Sequence, residues 1–187
     1  MRRLLVPVFL LLLALSMCES SVLQDMCKSV AAGHPSISYS DCIKTFQADS
    51  ASATVADERG LAAIATKIAE KAANATSARI AALRATEKDA RRRDRLGVCA
   101  EVYSDAVEQL GEAADDIARG GDEATQDAVT QLSAALDAPG TCEDAFGEAD
   151  DASPLAPEDD EFTKLATIAL AVAASLSPPP STATIRN

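Results

Sequence analysis

Four cysteines, Cys27, Cys42, Cys99 and Cys142, follow an apolar leader, and together these features constrain the chain more than any other. Met1-Arg2-Arg3 supplies a positive start. Leu4 to Leu15 is apolar throughout and broken only by Pro7, and the small residues Ser16, Cys18 and Ser20 come next. A bilayer core of roughly 30 Å needs about 20 apolar residues in helical form, so this run reads as a removed signal over residues 1–20 and not as an anchor. Cys18 leaves with it, and the five cysteines of the chain become four. An even number of cysteines in an oxidising compartment implies a disulfide framework. Four of them allow about three connectivities, of which pairing between sequence neighbours is the simplest.

Metal binding and thiol chemistry fit the pattern poorly. A zinc site wants close pairs such as C-x-x-C with histidines nearby, whereas this chain has no C-x-x-C and one histidine, His34. His34 lies in Gly33-His34-Pro35, a turn signal, and reads as an exposed loop residue and not as the base of a cysteine nucleophile. Neither a metal nor a cofactor is expected. The formal net charge of -12 disfavours nucleic acid and anionic membranes and favours basic partners. Arg91-Arg92-Arg93, with Arg95, is the basic exception; it reads first as a solvated helix end or turn, with a docking patch or a cleavage site as the sharper alternatives.

Abundant alanine, 8 Gly, 8 Pro, no Trp and 3% aromatics point to an all-α domain. Val22, Met26 and Val30 at steps of four suggest a helix over 21–32, and a second short piece is expected over 41–47, so that the two form an amino-terminal helical hairpin within 21–50. Leu61, Ile64, Ile68, Ala72 and Ala75 mark a long amphipathic helix from Ala56 towards the arginines. A second helix is read from about Leu96 to Ala118, with Cys99, Tyr103, Ala106, Leu110, Ala113 and Ile117 on one stripe, stopped by Gly120-Gly121. A third is expected over 122–137, ending at Pro139-Gly140. Thr141 is read as the N-cap of a fresh turn holding Cys142. Glu148 to Asp160 reads as an acidic, proline-punctuated linker. A last helix is expected from about Glu158 to Leu176, on a seam of Phe162, Leu165, Ala169, Val172 and Leu176. The pattern supports four bundle helices over 55–176 after the hairpin, and a disordered proline-rich tail over 177–187.

Several of these segments, taken in order, resemble one family. They are Cys27-Lys28, Tyr39-Ser40-Asp41-Cys42, Arg59-Gly60-Leu61-Ala62, Cys99-Ala100-Glu101-Val102-Tyr103-Ser104-Asp105-Ala106-Val107, Leu132-Ser133-Ala134-Ala135-Leu136 and Thr141-Cys142-Glu143-Asp144-Ala145-Phe146. The chain is similar to the plant invertase and pectin methylesterase inhibitors, above all to acidic pollen members described as invertase inhibitors. The resemblance implies an up-and-down four-helix bundle with a helical hairpin extension over 21–176, and disulfides joining Cys27 to Cys42 and Cys99 to Cys142. It also implies inhibition by protein–protein blockade, with no catalytic residue in the inhibitor.

The expected partner is a pectin methylesterase, often a basic enzyme, in a 1:1 complex; the alternative is a cell-wall or vacuolar invertase. Several invertase inhibitors of the family carry Pro-Lys-Phe, and no proline here precedes a lysine. Asp159, Asp160 and Glu161, with Glu148, Asp150, Asp151 and Glu158, are the carboxylates expected to steer a basic partner. Asn74-Ala75-Thr76 is a glycosylation sequon, and secretion to the apoplast or wall, or delivery to a vacuole, is expected. Two other classes fit less well. A glycosidase needs a rigid cleft for its carboxylates and usually aromatic platforms, and this chain has no Trp and two Tyr. An apolar-ligand carrier needs a hollow core, whereas alanine-rich faces bring helices close together.

Overall fold

The computed structural model describes residues 21–177, and among them every regular element is helical. The leader and the residues from Pro178 onward lie outside the described residues. The hairpin consists of α1 (Ser21–Gly33) and α2 (Tyr39–Gln47), followed by a 3-10 turn at Ser50–Thr54. The bundle consists of α3 (Glu58–Thr86), α4 (Ala90–Arg119), α5 (Asp122–Ala135), α6 (Ala138–Gly147) and α7 (Ala156–Ala174). Helix α3 packs on α4 and α7, α4 packs on α5 and α6, and α5 packs on α7. The short α5 and α6 thus share the position of one bundle helix.

Local chemistry sets the helix starts. Ser38 caps α2, which begins at Tyr39, two residues before the expected Asp41. Its Oγ accepts from the Asp41 N–H at 3.1 Å while the Asp41 carboxylate accepts from the Ser38 N–H at 3.4 Å, a capping box. Asp57 caps α3 by accepting from Gly60 N–H at 2.8 Å. Asp89 accepts from the N–H groups of Arg91 and Arg92 at 2.8 and 3.1 Å, so α4 begins at Ala90 and takes in the arginines, ahead of the expected Leu96. Gly120 and Gly121 separate α4 from α5 with φ of 70° and 91°, a region that L side chains avoid. Arg59 lies over Gly120 and donates to the carbonyl of Ile117 at 2.9 Å, so a Cβ there would meet its guanidinium.

Three expectations are corrected. Thr141 is not an N-cap: α6 starts at Ala138, because Pro139 occupies the first turn of a helix, where its missing N–H costs nothing. The Thr141 hydroxyl instead donates back to the Asp137 carbonyl at 3.2 Å. The buried line of α3 does not follow Ile68, Ala72 and Ala75. It runs through Leu61, Ala65, Ala69, Ala73, Thr76 and Ile80, because α4 and α7 flank this helix from two sides and small residues let both approach. His34 is half-buried, folded back by its N–H donating to the Val30 carbonyl at 2.9 Å.

Candidate interaction surface

The core stripe of α4 is Leu96, Cys99, Tyr103, Ala106, Leu110, Ala113 and Ile117, all buried. On the opposite face stand Glu101, Asp105, Glu108, Glu112 and Asp115, all exposed. Their spacing of four, three, four and three keeps them on one line for about 21 Å along the helix. None of the five takes part in an ion pair. Like charges three and four apart on a helix cost a few tenths of a kcal/mol per pair (about 0.2–0.5), so the stripe detracts from helix stability. Asp122, Glu123 and Asp127 on α5 are exposed and extend the acidic face to the neighbouring helix. Residues 101–161 carry nineteen carboxylates against a single arginine, Arg119, which is paired with Asp116 at 2.7 Å. The periodic signal for this stripe stands in the sequence, antiphase to the apolar one.

The carboxylates expected to steer a partner divide. Asp160 and Glu161 are exposed on the first turns of α7. Asp159 is corrected: it is buried, 3% exposed, and unavailable to any partner. Stepping back along the seam from Phe162 by three and by seven lands on Asp159 and Leu155, both buried. Its Oδ1 accepts from the Tyr103 hydroxyl at 2.5 Å, and Tyr103 packs on Phe162 with ring centroids 5.5 Å apart. Burial first, then the neighbouring Glu143 carboxyl, pushes the Asp159 carboxyl up to about 7. Burial and the Asp159 bond push the Tyr103 hydroxyl well above its ordinary range. Asp151 is held between Arg92 and Arg95 (the latter at 2.6 Å), both of which also lie over the Phe146 ring, and Glu158 stands 3.7 Å from Arg79.

The disulfides join Cys27 to Cys42 and Cys99 to Cys142, with Cα atoms 5.5 and 4.6 Å apart; they tie α1 to α2 and α4 to α6. Asn74 is exposed on α3, its Nδ2 donating to the Glu70 carbonyl at 3.0 Å, while Thr76 of the same sequon is buried. An open hollow between α1, the start of α3 and the end of α7 is lined by Val22, Met26 and Leu176 together with Asp25, Asp57, Glu58 and Arg59. Among the described residues no group of three His, Cys, Asp or Glu could hold a metal ion, and no helix is long and apolar enough to cross a membrane.

Comparison with known proteins bears on this arrangement. The crystal structure of mutant form A of a pectin methylesterase inhibitor from Arabidopsis superposes with a TM-score of 0.68 at 22% identity, covering 86% of this chain and all of that one. At that identity the likeness speaks for the fold alone. A protein of Platanus acerifolia named "Putative invertase inhibitor" is 33% identical over 164 residues, 87% of this chain and 89% of its own. The "Pectinesterase inhibitor" of Actinidia deliciosa is 31% identical over 128 residues, 68% of this chain and 64% of its own. The sequence profile of the family described as plant invertase/pectin methylesterase inhibitor matches residues 21–172, both disulfides included. With this match over most of its length, and with the bundle, hairpin and disulfides in place, the chain belongs to that family of enzyme inhibitors.

Proposed function

We propose that this chain is a secreted inhibitor of a plant pectin methylesterase, which it blocks by covering the active-site cleft in a 1:1 complex. The observation that carries the reading is the line of five exposed, unpaired carboxylates on α4. An enzyme that processes a polymer of uronic acids must tolerate negative charge along its cleft, and an inhibitor that occupies that cleft gains by presenting the same charge. The substrate of an invertase is a neutral sugar and offers no such match. Invertase is the second reading, favoured by the name of the Platanus acerifolia relative, which is similar over most of both chains.

The leader directs the chain out of the cell, and Asn74 carries a glycan on the exposed side of α3. One experiment tests these statements together. The full chain is expressed in cultured plant cells and recovered from the medium. It is then mixed with a pectin methylesterase, a cell-wall invertase and a vacuolar invertase in turn, while activity and intact mass are followed. Loss of methylesterase activity without consumption of the inhibitor is expected, with a mass excess removed by glycosidase. Inhibition of an invertase alone would shift the target to the second reading, and inhibition of none would reject both.

A further inference from the structure

The arginines at the head of α4 belong to a larger basic tip. Arg84 in the last turn of α3, Lys88 in the connection, and Arg91 and Arg93 in the first turn of α4 are all exposed, and none of them forms an ion pair. Arg92 and Arg95 are spoken for by Glu87, Asp151 and the Phe146 ring. The carboxylates nearby are engaged too. Asp89 accepts from two backbone N–H groups, and Glu87 accepts from the Asp89 N–H and from Arg92, which leaves Asp94 as the one free carboxylate between Arg84 and Arg95. Cations at a helix N-terminus oppose the macrodipole, and beyond the Asp89 cap the first turn of α4 has no acidic residue, so helix stability does not explain four of them at this tip.

We infer that the α3–α4 tip binds a carboxylate-bearing polysaccharide, a stretch of polyuronate of the kind that ester hydrolysis of pectin releases. The exposed cations of the tip take the carboxylates. The assignment of the polymer rests on the methylesterase reading given above. The rest of the molecule favours it over duplex nucleic acid or a lipid surface: residues 101–161 are strongly acidic and would repel a broad, uniformly anionic surface, whereas a flexible single polymer chain can be gripped at one end of the bundle. The acidic stripe begins at Glu101, about 12 Å along α4 from Arg93, so the two surfaces are separate and polymer and enzyme could be held together.

The test is titration of the purified full chain, at low salt, with de-esterified oligogalacturonate, the fully methyl-esterified oligomer, single-stranded DNA and anionic phospholipid vesicles. Methylesterase inhibition is read on the same samples. Binding to the de-esterified oligomer is expected, at least tenfold weaker for the methyl ester. It should also weaken at least tenfold for Arg84→Gln/Lys88→Gln/Arg91→Gln/Arg93→Gln, and about threefold for the milder Lys88→Gln/Arg93→Gln should the larger variant fail to fold, in both cases with inhibition retained. Equal binding of the ester, unchanged binding by the variants, or tighter binding of DNA or vesicles would overturn the proposal. A protein that inhibits but does not bind the oligomer overturns this inference alone. Variant-sensitive binding without inhibition supports it while rejecting the inhibitor reading.

Discussion

Asp159 has its carboxyl between the Tyr103 hydroxyl of α4 and the Glu143 carboxyl of α6, with Glu158 next to it on its own helix. The Oδ2 of Asp159 and an oxygen of Glu143 are both buried without a partner, which two carboxylates cannot tolerate but a carboxyl pair sharing one proton can. The folded state therefore holds this proton to about pH 7, whereas the unfolded chain releases it near the ordinary carboxylate value of about 4. Between those values the folded state binds more protons than the unfolded one, so stability is greatest at the acid end and falls as pH rises. The opposite contributions belong to lower pH. Asp41, Glu87 and Asp89 are held low chiefly by the Ser38 hydroxyl, the Asp89 N–H and the Arg92 N–H, and they lose those bonds as they protonate. The melting temperature should thus decline from pH 5 to pH 8. Asp159→Asn, whose amide can accept from Tyr103 and donate to Glu143 at any pH, should flatten that decline and gain on the order of 1–3 kcal/mol at pH 8. A variant with the same pH profile as the parent would show that the shared proton is not the cause.

At the scale of elements the two disulfides do unequal work. The Cys27–Cys42 bridge closes 15 residues within a hairpin that packs only lightly on the bundle, while Cys99–Cys142 closes 43 and joins α4 to α6 inside the core. The chain-entropy model gives about 3 and 4 kcal/mol for loops of these sizes, and breaking the second also leaves a core position half-empty. Cys99→Ala/Cys142→Ala should therefore lower the urea midpoint more than Cys27→Ala/Cys42→Ala, within the range of about 2–5 kcal/mol typical of a native bridge. Equal losses would mean that the hairpin is as integral to the fold as the bundle. The elements themselves were largely readable, because the stripes of α4 and α7 follow helical spacing without interruption. What was not readable depended on neighbours or on caps. Asp89 begins α4 through two backbone bonds that periodicity ignores, and Pro139 reads as a stop although it starts a helix. The buried line of α3 is set by two flanking helices, and Asp159 reads as a surface acid because its tyrosine partner lies 56 residues away.

Over the whole molecule charge is sorted by sequence and therefore by place. Residues 21–100 hold twelve lysines and arginines against nine carboxylates, and residues 101–161 hold nearly all the remaining negative charge. The first group supplies α3 and the head of α4, the second the rest of α4 through the start of α7, so one side of the bundle is mixed to basic and the other is acidic. A basic enzyme approaching at random is turned by such a field before contact, which raises the rate of association far more than it lengthens the life of the complex. Raising salt from low concentration to about 0.5 M, where screening acts within a few Å, should slow association several-fold more than it speeds dissociation. Asp105→Asn/Glu108→Gln/Glu112→Gln removes three charges from the stripe on α4 while keeping side-chain size, and should reproduce most of the salt effect at low salt. Asp160→Ser/Glu161→Ser should give a smaller change, since these two lie apart from the stripe with Lys164 next to them on α7. Stopped-flow association with the inhibited enzyme distinguishes the outcomes: rates equal to the parent for the α4 variant would place the docking face elsewhere on the bundle, with inhibition itself unaffected.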